Sequence, residues 1–178
     1  MSSFFRMSRR IAIDAGHRIM SHGSKCRHLH GHRYEIEAWC VSSRLHEQGE
    51  QAGMVLDFGF LKEEMLAVID APCDHGFIAH AGDVELLTMF CPETVDTQAW
   101  IGKRLEEVER RGYCLTVDTR MGTKLYVLNE PPTAEGLAKH WFRRLAPRVR
   151  ELSLGIARLE RVRVWETPNC WAEHEETE

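Results

Sequence analysis

Residues 25–34, with the sequence KCRHLHGHRY, constrain the fold of this chain more than any other segment. One cysteine and three histidines fall within seven positions, namely Cys26, His28, His30 and His32. If His30 and His32 lie on a strand, both imidazoles point to the same face of a sheet, because side chains alternate along a strand. His17, on a neighbouring element, can supply a third nitrogen. Three imidazoles suit zinc and leave a fourth position open for substrate or water, so the pattern predicts a zinc site.

Two other interpretations of this segment remain open at the level of sequence. Cys26 could be the fourth ligand, which would close the site and make the protein a zinc-stabilised structural module without chemistry. His28 has the same strand parity as His30 and His32, and it therefore competes for a place among the ligands. Spacing alone does not separate these interpretations.

The composition of the 178-residue chain is that of an ordinary globular protein, with 43% hydrophobic and 28% charged residues. A formal net charge of −4 argues against general binding of nucleic acid. No apolar run approaches the roughly eighteen residues that cross a bilayer, and residues 1–10 lack the apolar segment of a signal peptide. We therefore expect a cytoplasmic protein with neither a nucleic-acid nor a membrane partner.

The six cysteines are dispersed, without a C-x-x-C pair, and in a cytosolic chain they are expected to be free thiols. Most are expected to be small core residues. Cys26 differs because Lys25 and Arg27 flank it and the candidate cation lies nearby, and these neighbours favour the reactive thiolate.

Hydrophobic periodicity predicts an α+β fold. The predicted strands cover residues 4–19, 29–45, 113–117, 125–128, 156–166 and 170–173. Predicted helices run from an Asp57 N-cap to about Ile69, over residues 98–111, and from a Thr133 N-cap to about Leu145, where Pro147 ends or kinks the helix. Residues 73–75 are predicted to form a loop, and no element is assigned to residues 82–97.

Several motifs in a fixed order resemble those of one known family. They are Ala15-Gly16-His17, Cys26-x-x-x-His30-Gly31-His32, Gly53-Met54-Val55-Leu56-Asp57-Phe58 with Leu61-Lys62, Asp74-His75, Pro132-Thr133-Ala134-Glu135, and Glu166-Thr167. Through them, the chain resembles the 6-pyruvoyltetrahydropterin synthase and 6-carboxytetrahydropterin synthase family over most of residues 4–173.

The resemblance implies three groups of site residues. The zinc ligands would be His17, His30 and His32. The catalytic base would be Cys26, with Asp74 and His75 as its acid–base partners. The substrate-binding residues would be Glu166, which would anchor the pterin ring, together with Thr133 and Glu135 near the pterin pocket.

The resemblance also implies a tunnelling (T-) fold, in which an antiparallel four-stranded sheet carries two helices on one face. Three subunits would close a β-barrel and two trimers would stack into a homohexamer, with sites at the subunit interfaces. We expect one domain over residues 1–178. The segment 76–132 is longer than in compact family members, so we expect an insertion at about residues 80–130 that contains a helix and short strands.

The implied reaction converts 7,8-dihydroneopterin triphosphate to 6-carboxy-5,6,7,8-tetrahydropterin, with loss of triphosphate and acetaldehyde, on the route to queuosine and other 7-deazaguanines. The alternative is the 6-pyruvoyl product, formed by elimination of triphosphate without cleavage of the side chain. Cys26 fits both branches and argues against the family branch that carries glutamate in its place. A non-catalytic zinc module with the same fold is the alternative from a different class.

Overall fold

A long antiparallel hairpin carries the histidine segment in a computed structural model, which describes residues 3–176. Its strands, β1 (Phe5–His17) and β2 (His30–Ser42), pair over their whole length, with His17 opposite His30. Every second residue towards the end of β1 is buried, including Ile11 and Ile13. This alternation gives the hairpin one apolar face, and all three candidate histidines lie on that face.

The hairpin is part of a sheet with more strands than the resemblance implies. The other strands are β3 (Gly76–His80), β4 (Tyr113–Thr116), β5 (Leu125–Leu128), β6 (Arg158–Thr167) and β7 (Cys170–Glu175). Among the described residues, these form one seven-stranded sheet in the order β4-β5-β3-β1-β2-β6-β7. β1, β2, β6 and β7 are antiparallel, whereas β3 runs parallel to both β1 and β5. The predicted four-stranded antiparallel sheet is therefore correct for one part of a mixed sheet and wrong for the whole.

The helices begin where the sequence provides N-caps. They are α1 (Phe58–Met65), α2 (Ala71–Cys73), α3 (Val84–Phe90), α4 (Thr97–Arg111) and α5 (Ala134–Leu152), with a π-helical turn (Leu66–Asp70) between α1 and α2. The Asp57 carboxylate accepts hydrogen bonds from the Gly59 and Phe60 amides, and the Thr133 hydroxyl accepts one from the Gly136 amide. Each side chain satisfies backbone donors that the first helical turn leaves free, which confirms both predicted caps.

Helix α5 is longer than predicted, because it continues through Pro147 to Leu152. A proline inside a helix deprives the carbonyl four residues earlier of its hydrogen bond. Here both Pro147 and Arg143, whose carbonyl is affected, are exposed, so water can satisfy that carbonyl. The apolar residues of the last two turns, including Val149, are buried in the core and hold the helix in place.

The segment 80–130 packs on both faces of the sheet. Tyr126 and Leu128 of β5 belong to the main core, which also contains residues of α1 and α5. Leu125 and Val127 face the other way, into a second apolar cluster with residues of α3 and α4. Because neighbouring residues of β5 are buried on opposite faces, the 80–130 segment is an extension of the sheet with its own helical layer. No helix within residues 3–176 is long and apolar enough to cross a membrane.

Candidate metal centre and active site

The structure brings His17, His30 and His32 together at the end of the hairpin. One nitrogen from each ring lies within 4.8 Å of the other two. The Nε2 atoms of His17 and His30 are 3.1 Å apart, and the centres of these two rings are 4.5 Å apart. The register explains the arrangement, since His17 is opposite His30 and Ala15 is opposite His32. Three imidazoles thus converge from two adjacent strands.

Backbone carbonyls fix the orientation of two of these rings. His17 Nδ1 donates to the Pro132 carbonyl at 2.6 Å, and His30 Nδ1 donates to the His28 carbonyl at 2.7 Å. With the proton on Nδ1, each ring presents the Nε2 lone pair to the cluster, which is the usual arrangement around a metal-binding histidine. His28 therefore acts through its backbone. Its side chain is exposed and lies outside the cluster.

The donor set fits zinc. His17 is fully buried, and burial lowers its pKa to about 4. Burial also lowers the pKa of His32, whose Nε2 is buried without a hydrogen-bond partner among the described residues. Both rings are therefore neutral near pH 7 and have free lone pairs. Three neutral imidazole nitrogens are a common ligand set for a zinc site that keeps an open position.

Two further side chains complete the buried end of the cluster. Glu166 Oε1 lies 3.5 Å from His17 Nε2 and 3.8 Å from His32 Nε2. Tyr34 packs edge-on against the rings of His17 and His32, with centroids 5.7 and 5.5 Å away. Burial raises the pKa of Tyr34, and the nearby charges of Glu166 and Cys26 raise it further, so its hydroxyl stays protonated. The motifs in the sequence did not identify Tyr34 as a site residue. It follows His30 and His32 at the same two-residue interval, so strand parity could have placed it on their face.

Cys26 lies beside the metal cluster and outside it. It occupies a 3-10 turn (Lys25–Arg27) just before β2, and its side chain is partly accessible. The Cys26 carbonyl accepts a hydrogen bond from the Ile19 amide at 2.8 Å, which closes the loop between β1 and β2. Within the described part of the chain, the compact group of possible ligands contains the three histidines without Cys26. This geometry disfavours a closed structural site with a thiolate ligand.

Asp74 and His75 form a dyad that lies away from the histidines of the same chain. Asp74 Oδ2 is 2.6 Å from His75 Nδ1, and the Asp14 amide donates to Asp74 Oδ1 at 2.8 Å. Burial acts to raise the pKa of Asp74, but the hydrogen bonds from Asp14 and His75 outweigh it and lower the pKa. The hydrogen bond to Asp74 raises the pKa of His75, whose ring is 80% exposed.

The position of the dyad follows from the sheet. Asp14 precedes His17 by three residues, about 10 Å along a strand, and the His75 amide donates to the Asp14 carbonyl. His75 itself has φ of 53°, a left-handed conformation that non-glycine residues adopt infrequently. Within residues 3–176, neither side chain of the dyad hydrogen-bonds to the histidine cluster.

The start of α5 borders the site. The Pro132 carbonyl holds His17, and the next residue, Thr133, uses its hydroxyl to cap the helix at 3.1 Å from the Gly136 amide. Glu135, in the first turn, is exposed. The structure thus gives Thr133 a structural role and leaves the Glu135 carboxylate accessible at the edge of the site.

Together, the antiparallel part of the sheet, the helices packed on it and the inward-facing histidines define an α+β protein with a candidate three-histidine metal site. A family model described as 6-pyruvoyl tetrahydropterin synthase matches residues 6–177. The chain belongs to this family, as its motifs predicted.

Similar proteins match this chain over nearly its whole length. A protein of Rickettsia bellii named 6-carboxy-5,6,7,8-tetrahydropterin synthase is 33% identical, over 94% of this chain and 98% of that protein. A protein of the same name from Haemophilus influenzae is 28% identical, over 97% of this chain and 99% of that protein.

Solved structures show the same fold. An uncharacterized protein from Wolinella succinogenes matches with a TM-score of 0.69 at 20% identity, over 99% of this chain and all of that one. The 6-pyruvoyl tetrahydropterin synthase of Caenorhabditis elegans matches with a TM-score of 0.54 at 19% identity, over 98% of this chain and 97% of that one.

Proposed function

We propose that the protein is a zinc-dependent lyase that converts 7,8-dihydroneopterin triphosphate to 6-carboxy-5,6,7,8-tetrahydropterin, releasing triphosphate and acetaldehyde. The observation that carries this proposal is the convergence of nitrogens from three histidines, with the partly accessible thiol of Cys26 just before the strand that bears two of them. In the family, this product feeds queuosine and other 7-deazaguanines.

The relatives support the 6-carboxy product over the 6-pyruvoyl product. Those that share nearly the whole chain at 28–33% identity bear the 6-carboxy name. The solved 6-pyruvoyl enzyme from C. elegans is only 19% identical, so its likeness bears on the fold alone. The position of Cys26 outside the ligand group supports an enzyme over a non-catalytic zinc module.

His17, His30 and His32 would hold the metal. A zinc ion there would polarise a substrate hydroxyl and make the proton on the adjacent carbon easier to remove. The carbonyls of Pro132 and His28 would keep the rings of His17 and His30 turned towards the metal, and burial keeps His17 neutral. This part of the site lies entirely within one chain.

Cys26 would remove the proton from carbon as its thiolate. Asp74 would orient His75, and His75 would exchange protons with the substrate side chain; each such transfer contributes about 10²–10⁴-fold in rate. Because the dyad lies about three strand residues from His17 and its imidazole is exposed, we assign it to the site of a neighbouring subunit. A complete site then needs two chains.

Glu166 would anchor the pterin by accepting hydrogen bonds from the ring N–H and amino groups. Its carboxylate is on the same face of the sheet as the histidines, so a pterin bound to it would lie next to the metal. Thr133 and Glu135, at the first turn of α5, would form the neighbouring wall of the pocket.

Open sheet edges support the proposed homohexamer of two stacked trimers. β3 pairs with β1 only from Ala15 to His17, so the rest of this edge of β1 has no strand partner within the described chain. β7 is the last strand at the opposite side of the antiparallel part. Edge-to-edge pairing of β7 with β1 of the next subunit would satisfy both rows of backbone groups and close a ring. Light scattering should then give six times the chain mass of 20.6 kDa, whereas a monomer would contradict the assembly.

The proposed location is the cytoplasm. All six cysteines are free, which suits a reducing compartment.

Product analysis tests the function. The zinc-loaded protein is incubated with 7,8-dihydroneopterin triphosphate, and the products are identified by mass spectrometry. We expect the 6-carboxy product together with acetaldehyde. A 6-pyruvoyl product without acetaldehyde would favour the alternative branch, and no product from zinc-loaded oligomer would contradict the enzyme.

The variant Cys26→Ala separates catalysis from metal binding. It should retain zinc and lose at least about 10²-fold in turnover, because only the base is removed. Cys170→Ala is the matched control, since Cys170 is the exposed thiol at the start of β7. Loss of zinc from Cys26→Ala, with zinc retained in the control, would make Cys26 a ligand.

A further inference from the structure

We propose that Glu166 is the fourth metal ligand in the substrate-free protein, so that the centre is closed at rest and opens when the carboxylate turns to the pterin. The second half of this statement rests on the proposed function. The first half concerns the protein and its metal alone, and it rests on the geometry of Glu166 and the three histidines.

The distances bring Glu166 close to two of the three ligand nitrogens. A zinc ion with bonds of 2.0–2.1 Å to nitrogen and oxygen holds its ligand atoms about 3.3 Å apart. His17 Nε2 and His30 Nε2 are 3.1 Å apart, and Glu166 Oε1 lies 3.5 Å from His17 Nε2 and 3.8 Å from His32 Nε2. The ligand atoms that all lie within 4.8 Å of one another belong to the three histidines without Glu166, so the carboxylate must turn towards His30 to complete a tetrahedron around the metal.

Strand geometry directs Glu166 to this position. Val164 of β6 pairs with Ile36 of β2, and both are buried in the main core. Glu166 is two residues further along β6, at a register shift between Trp165 and Thr167, and its contacts with His17 and His32 show that its side chain lies on the face of the histidines. An apolar side chain would continue the pattern of Val162 and Val164, and a carboxylate interrupts it at the metal cluster.

The charge of Glu166 has no other partner within the described residues. Its side chain is only 24% exposed, and its ion-pair contacts are to His17 and His32. Glu160, on the same strand, is by contrast paired with Arg6. A largely buried carboxylate without a nearby arginine or lysine is costly unless a cation compensates it. A metal ion among the histidines provides that cation.

A closed centre has a consequence for substrate binding. Glu166 cannot ligate the metal and accept both pterin N–H groups in the same orientation. Binding of the pterin would therefore draw the carboxylate away and open one coordination position at the moment the substrate side chain arrives. Until then, the carboxylate keeps solvent and small anions from that position.

Cobalt substitution tests the proposal without substrate or turnover. Co²⁺ replaces zinc, and its visible absorption spectrum reports ligand changes. A water in an open position ionises near neutral pH, about 7 in zinc enzymes. If Glu166 holds the position, the spectrum of the wild-type protein stays constant from about pH 6 to about pH 9. In Glu166→Ala, water enters and the spectrum titrates in this range.

Two further variants test whether the Glu166 carboxylate itself binds the metal. Glu166→Gln, which keeps the size of the side chain, should weaken zinc binding by at least about tenfold in competition with a chelator. Glu175→Gln, which removes an exposed carboxylate on β7, should match the wild type in both measurements. The proposal is overturned if the wild-type cobalt spectrum itself titrates, or if Glu166→Gln binds zinc as tightly as the wild type.

A pterin titration tests the opening step separately. Adding 7,8-dihydroneopterin, which lacks the triphosphate, should change the wild-type cobalt spectrum. If the spectrum is pH-independent but does not respond to the pterin, the fourth ligand is supported and the opening step fails. Failure to form product in the turnover assay would refute the proposed function and leave the ligand assignment unaffected.

Discussion

Gly136 connects the folding of α5 to the orientation of His17, and its replacement by alanine should damage both. A Cβ at this position would lie 1.9 Å from the Pro131 carbonyl oxygen, more than 1 Å inside the 3.0 Å that real Cβ contacts keep. The obstructing atom belongs to the backbone, so no side-chain rotation can relieve the clash. Either the start of α5 or the Pro131–Pro132 segment must move.

The expected magnitude follows from these contacts. Forcing an extra carbon into a packed site costs about 1–3 kcal/mol, and the rigid obstacle places Gly136→Ala at the upper end. For a chain of this size, that lowers Tm by about 4–10 °C. The Pro132 carbonyl also moves away from His17 Nδ1, a contact of 2.6 Å. Loss of such a supporting hydrogen bond weakens metal binding by about 10–100-fold.

Gly102→Ala is the matched control. Gly102 lies within α4, and a Cβ there would have no atom within 4 Å. Alanine is the better helix former, so this variant should gain about 0.5–1 kcal/mol. Urea unfolding and chelator competition measure the two effects. If Gly136→Ala unfolds at the same urea concentration as the wild type and binds zinc equally well, the packing argument is wrong.

Three further predictions concern the site. His17 has a pKa of about 4 when folded and 6.5 when free, so its contribution to stability is complete above pH 6.5 and is lost as the pH falls towards 4. Urea unfolding of the metal-free protein should show a loss of about 2 kcal/mol between pH 7 and pH 5, and no loss would contradict the buried neutral ring. His28→Ala should retain zinc, because the His28 carbonyl holds His30; a metal-free variant would make His28 a ligand. Thr133→Ala should cost about 1 kcal/mol, with recovery in Thr133→Ser; unchanged stability with a raised KM would place the hydroxyl on the substrate instead.

Most of the regular elements could be predicted because their patterns are local. Strands β1, β2 and β6 bury one face and therefore alternate, and β5 lies where it was predicted, at Leu125–Leu128. β3 was missed because Ile78 and Ala79 are buried in different apolar clusters, which removes the alternation. α3 has only seven residues, too few to show a helical period. The mixed seven-stranded sheet depends on β3, which joins β5 to β1, and α3 helps to cover its second face.

The sequence predicts the parts of the site that consist of particular side chains. Strand parity pairs His30 with His32, and the family resemblance adds His17, which the structure places opposite His30. The carbonyls of Pro132 and His28 that orient the rings have no sequence signature, because every residue has a carbonyl. The position of Asp74 and His75 depends on how β3 joins β1, and their proposed meeting with Cys26 depends on a second subunit.

X-ray absorption at the zinc edge of the metal-loaded protein tests the central claim, that histidines hold the metal and Cys26 remains free for catalysis. The account predicts a first shell of nitrogen and oxygen at about 2.0–2.1 Å with the multiple scattering of imidazole rings. A sulfur scatterer at about 2.3 Å would place Cys26 on the metal and contradict the account.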